Sequence, residues 1–70
     1  MHVFCVFVGY AYEGSTLTGI FQSFSSARAH AMQKVGQEMT GEEQIEETED
    51  SFSAREGGGY VKVVKKEVLP

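Results

Sequence analysis

The stretch His2 to Val8, HVFCVFV, constrains the fold more than any other part of the chain, because it is apolar at nearly every position and rich in Val and Phe. An alternating strand leaves one face for water. This run leaves none, so it predicts a central strand buried on both faces or nearly so. That is demanding for 70 residues, since a single domain of this size buries only about 60% of the surface its unfolded chain exposes. Covalent help is scarce: Cys5 has no cysteine partner, and one cysteine with two isolated histidines does not make a structural zinc site. Added stability then has to come from oligomerisation or from a larger partner. The run is too short to cross a bilayer and lacks the charged start and small-residue cleavage site of a secretory signal. No membrane partner is expected, and an unpaired thiol fits a soluble, cytoplasmic protein.

Thr16 to Gln22 (TLTGIFQ) reads as a second short strand, and Gly9 to Ser15 as the hairpin loop that pairs it antiparallel with the first. Ala27 to Val35 is dominated by helix formers and follows serines able to cap its first amides. Ala27, Ala31, Met32 and Val35 would pack on the sheet, with Gly36 either stopping or weakening the helix. Thr40-Gly41-Glu42-Glu43 has the form of a capping box, and Ile45, Thr48 and Phe52 follow at i, i+3 and i+7. Residues 41–52 are accordingly either a short acidic helix or a mobile loop, inserted before the last strand. Gly57-Gly58-Gly59 is a flexible joint, and Tyr60 to Leu69 is the last strand, with Val63-Val64 marking a bulge. The expected fold class is α+β, ββα(α)β: a three-stranded antiparallel sheet of order 2-1-3 with one helix on one face. The second face is covered either by the acidic segment or by another subunit.

The spacing of GYAYEGST, residues 9–16, approaches that of a phosphate-binding loop, but the chemistry does not follow. Ser15 stands where lysine is needed, Glu13 would face the phosphates, and strand rather than helix follows. A hairpin loop is the better reading. His2 and His30 have no evident acidic or nucleophilic companion, and no cation near Cys5 would lower its pKa, so no catalytic residue, cofactor or metal is assigned and an enzyme is not expected.

Tyr10 and Tyr12, two apart and flanking Glu13, are candidates for partner binding, because tyrosine brings contact area at low entropy cost; the alternative is that they cap the sheet end. Glu42, Glu43, Glu46, Glu47, Glu49 and Asp50 place six of the ten acidic residues within nine positions, in a chain of formal charge −4. Such a run can imitate the charge density of a nucleic-acid backbone and attract a basic surface. It can equally be a solvated loop, or pair with Lys62, Lys65 and Lys66. It lacks the Asp/Asn/Gly alternation of a calcium loop. Direct nucleic-acid binding is disfavoured, because one short lysine cluster is too small a basic surface.

The blocks VFVGYAYEG (6–14), GIF (19–21) and FSSARAHA (24–31) resemble short bacterial and phage proteins of unknown function that read V-[YF]-V-x-x-Y-x-Y-E-G, G-V-[FY] and S-S-x-E-x-A-x-x-A. The resemblance spans about residues 3–34, with a looser echo at 60–69. It departs at Ala27 and Arg28, where the pattern has acidic and lysine positions, and in the acidic insert. It implies a compact α+β domain of the kind phages carry as small accessory proteins, some of which resemble inhibitors of host defence. The expectation is a non-enzymatic module, anti-CRISPR-like, that blocks a host protein with a basic surface through the acidic run, Tyr10, Tyr12 and Glu13. The alternative is a small structural or ligand-binding homodimer or higher oligomer using the open sheet face or edge strands.

Overall fold

The structure, a computed structural model, describes residues 1–69. Five strands and one helix are arranged in the order β1 (His2–Tyr10), β2 (Gly14–Phe21), α1 (Phe24–Glu38), β3 (Gln44–Glu47), β4 (Phe52–Glu56) and β5 (Gly59–Glu67). All neighbours are antiparallel, and the sheet order is β2-β1-β5-β4-β3. The three-stranded 2-1-3 sheet expected from sequence is thereby corrected. Residues 41–52 hold no helix; β3 and β4 form a hairpin over residues 44–56 that widens the sheet to five strands.

The reason lies in side-chain direction. Phe52 and Ala54 alternate with Ser53 and Arg55, and both are fully buried against Val61 and Val63 of β5. The helical spacing of Ile45, Thr48 and Phe52 is coincidental. Adjacent glutamates repel on a helix, but in β3 Glu46 and Glu47 point to opposite faces, where Glu46 meets Arg55 at 3.7 Å and Glu47 binds Arg28. Thr40 caps no helix either. Its amide and hydroxyl donate to Glu56, and Gly41 turns the chain at a φ of +103°, far from helical values.

The helix starts earlier and ends later than expected, with Ser23 accepting from the Ser26 amide and Gly36 accommodated inside. Ala27, Ala31 and Val35 are buried, while Met32 is exposed. Small side chains let the helix approach closely, so one core forms from Phe4 and Val6 of β1, Phe52 and Ala54 of β4, and Val61 and Val63 of β5. The bulge sits on β2 at Thr18, not at Val63-Val64, where β1 and β5 pair without interruption.

Gly57-Gly58 is a tight two-residue turn between β4 and β5, with Gly57 at a φ of +59°, as the first position of a II′ turn requires. The acidic segment extends the sheet sideways and leaves the face opposite the helix open. There Cys5 is buried between Ile20 and Val64, and the Lys62 ammonium lies 5.7 Å from the centre of the Phe7 ring. Leu17 and Ile20 remain about half exposed on the same face. Among the described residues no helix is long and apolar enough to cross a membrane.

Candidate site at the tyrosine end of the sheet

The dipeptide Gly-Tyr occurs at 9–10 and again at 59–60, and the register of β1 with β5 sets Gly9 opposite Tyr60 and Tyr10 opposite Gly59. Each ring lies over the glycine across from it: a Cβ on Gly9 would stand 2.6 Å from the Tyr60 ring, and one on Gly59 would stand 3.4 Å from that of Tyr10. Opposite residues share a face and successive residues alternate, so the two rings occupy opposite faces of the same sheet end. At Gly9 only glycine leaves room for the ring opposite, whereas a Cβ at Gly59 would meet the Tyr10 ring in ordinary contact.

Two turns meet at this end. The Ala11–Glu13 loop closes with a Glu13 amide to Tyr10 carbonyl bond of 3.1 Å, and Gly14 at a φ of +78° restores the strand direction. The Ala11 amide donates to the Gly58 carbonyl at 2.7 Å, tying this loop to the β4–β5 turn. The C-terminus of α1 arrives from the helix side, where the Tyr10 hydroxyl donates to Glu38 Oε2 at 3.0 Å. Below it, Glu56 accepts from the Thr40 hydroxyl at 2.7 Å and from the Thr40 amide at 3.0 Å.

These elements enclose an open cavity of about 420 Å³ lined by Tyr10, Tyr12, Glu13, Glu38 and Glu56; Tyr60 also belongs to the lining, but its ring turns to the other face, where the Lys62 ammonium lies 5.4 Å from its centre. Val8 and Met39 supply apolar floor, and no Lys, Arg or His lines it. Lys34 stands in an adjoining cavity that shares Tyr10, Glu13 and Glu38. Hydrogen bonding to Glu38 and the charge of that carboxylate hold the Tyr10 phenol above its ordinary pKa. The Thr40 hydroxyl bond, backed by the Thr40 amide, holds Glu56 below the usual glutamate range, so it stays ionised.

Of the residues singled out from sequence, Tyr10, Tyr12 and Glu13 come together here, with Tyr12 fully exposed at the rim. Tyr12 belongs to the turn rather than to β1. None of the six acidic residues at 42–50 joins the cavity. Half of those six are paired within the chain: Glu46 with Arg55, Glu47 with Arg28, and Asp50 with Lys65 at 3.6 Å. Arg28 is held above its ordinary pKa by its bond to Glu47 and by the charge there. Glu43 keeps one enclosed carboxylate oxygen without a hydrogen-bond partner among the described residues.

Glu38, Glu56 and Tyr60 are missed by reading the chain in order, because each lies in a different element from the loop they face. The repeated Gly-Tyr, once at each of two strand ends, is the signal that would have found Tyr60. No family model, curated protein or solved structure matches the chain. The geometry of the site is therefore the guide to what it does.

His30 is not arranged for proton transfer with a carboxylate. Its Nε2 is 3.2 Å from Thr18 Oγ1, which gives its own hydrogen to the Val6 carbonyl, and its ring packs against Phe21. That arrangement ties the helix to the bulge in β2.

Proposed function

We propose that this chain is a non-enzymatic protein-binding module that docks on a basic surface of a partner protein, with the tyrosine end of its sheet as the contact. The observation behind the reading is a concavity walled by tyrosines and glutamates with no cationic residue in its lining. Such a wall offers amphipathic rings at low entropy cost and a negative potential concentrated in a concave surface. The acidic run at 42–50 contributes differently. With three of its six carboxylates already paired, it adds a long-range field that speeds encounter more than it grips. A partner whose basic surface ordinarily holds nucleic acid would be occluded by such docking, and the protein would then act as its inhibitor.

Affinity capture at two salt concentrations tests this with the intact protein and two charge-neutral variants. Glu13→Gln/Glu38→Gln should abolish retention of basic partners, whereas Glu42→Gln/Glu43→Gln/Glu46→Gln/Glu47→Gln should mainly slow association at low salt. Retention that is indifferent to salt and to both variants would reject the reading.

A second reading has its own observation. Leu17 and Ile20 lie exposed beside Phe7, Cys5 and Val64 on the face without a helix, which suits a second copy of the chain packed face to face. Sedimentation at micromolar concentration decides it: a strict monomer removes this alternative.

A further inference from the structure

The cavity at the tyrosine end brings carboxylates and aromatic rings together without forming a metal site from the described residues. Among the described residues no three of His, Cys, Asp and Glu converge closely enough to hold a metal ion, although Glu13, Glu38 and Glu56 line one concavity. Carboxylates that share a cavity without converging suit an extended organic cation. Glu56 is engaged by Thr40 through both oxygens and serves as wall. Glu38 has given Oε2 to Tyr10 and keeps Oε1 for another donor, and no ion pair of the chain reaches Glu13 or Glu38 among the described residues. The available acceptors therefore come from two elements, Glu13 from the loop and Glu38 Oε1 from the helix end, and Lys34 lines only the adjoining cavity that these residues share.

We propose that this cavity binds the guanidinium of one arginine presented by a partner protein. The inference rests on the basic-partner reading above and names the group that is read. A guanidinium stays charged, spreads five donors over a planar fork and stacks on aromatic rings, so one head can reach both Glu13 and Glu38 Oε1 while lying against Tyr10 and Tyr12. Its aliphatic stem would cover Met39 and Val8, which line the same cavity. An ammonium offers a point charge and cannot bridge separated carboxylates as a fork does.

The test is an NMR titration of the intact protein with Nα-acetyl-arginine amide, its neutral isostere Nα-acetyl-citrulline amide, and Nα-acetyl-lysine amide. The arginine compound should produce saturable amide shifts confined to Gly9–Glu13, Glu38–Met39 and Gly58–Tyr60, the lysine compound weaker ones and the citrulline compound none. Tyr12→Ala should weaken arginine binding about 2- to 30-fold, the range of a cation over an aromatic face. Glu13→Gln/Glu38→Gln should weaken it by about tenfold or more, with the spectrum of the fold unchanged. Absence of saturable shifts at these amides, or equal shifts with citrulline, overturns the assignment.

An oligo-arginine peptide separates the inference from the reading beneath it. If the peptide binds but shifts only residues 42–50, the basic-partner reading stands and the arginine cavity is overturned. If the capped arginine fills the cavity and the peptide binds no tighter, the cavity site is upheld and the basic-surface reading falls.

Discussion

Negative charge gathers in two places on this protein, and they differ in what that charge is free to do. The acidic run at 42–50, which leads into the hairpin, has the greater density, six carboxylates in nine positions, yet Glu46, Glu47 and Asp50 each already face an arginine or lysine of the same chain. The tyrosine end has half as many carboxylates but no cation in its lining, and it is concave. Charge counted along a sequence overstates what a partner meets, because folding brings cations to these carboxylates from elsewhere: Arg55 from the paired strand, Arg28 from the helix and Lys65 from β5. Exposed pairs of this kind add little stability, but they do remove charge from the surface potential.

Severing the hairpin from the rest of the sheet should have the largest effect. Phe52 is nearly fully buried under the helix and anchors the hairpin to β5, so Phe52→Ala should cost about 3 to 5 kcal/mol. A core of this size supplies about that much in total, so the variant should be largely unfolded by circular dichroism and urea titration. If amide protection were lost only across residues 44–56, the hairpin would be an appendage rather than part of one cooperative sheet.

A smaller loss is expected at the tyrosine end. Gly9→Ala would place a methyl 2.6 Å from the Gly14 carbonyl oxygen and from the Tyr60 ring, and overpacking of that kind costs about 1 to 3 kcal/mol. Gly36→Ala is the control: its Cβ would meet nothing within 4 Å, and alanine in a helix should raise stability by about 0.5 to 1 kcal/mol. Equal outcomes for the two would show that the reciprocal packing of rings on glycines does not hold the site in shape.

Acid should act on the tyrosine end through Glu56. That carboxyl is held below its ordinary range in the folded state, so the unfolded chain binds its proton more readily than the folded chain. Its contribution is complete above the usual glutamate pKa and fades as pH falls through the lowered one. Thr40→Val, which removes the hydroxyl donor, should flatten the acid limb of a denaturation series.

The smallest signal lies at the alkaline end. Tyr10 is held above the ordinary phenol range, so whatever its bond to Glu38 contributes is present below that range and lost as pH rises through the raised pKa. Phenolate absorbance should show a tyrosine ionising above the ordinary phenol range, and Tyr10→Phe should remove that step.

Much of the fold was legible in the chain because it is written locally. The unbroken apolar run at 2–8 marks β1, alanines at helical spacing mark the buried side of α1, and β-branched residues at 60–64 mark β5. The acidic hairpin was not legible as strand. An edge strand with two solvated faces carries no apolar alternation, and the coincidental spacing of Ile45, Thr48 and Phe52 imitates a helix. Of the site, Tyr10, Tyr12 and Glu13 were visible as one short stretch, while Glu38, Glu56 and Tyr60 come from elements that only folding brings to them.

Local periodicity and the residue types present were enough to require an interior strand at 2–8 with a small-residue helix over it, and one cysteine leaves no internal disulfide to support them. Three further outcomes waited for the folded chain: residues 44–56 widen the sheet, three carboxylates of the hairpin are neutralised from within, and three others wall a cavity. Tertiary contact accounts for the division. Each of those outcomes depends on which elements meet, β4 beside β3 at Glu46 and Arg55 but the helix at Glu47 with Arg28 and at Glu38, a relation between positions far apart along the chain.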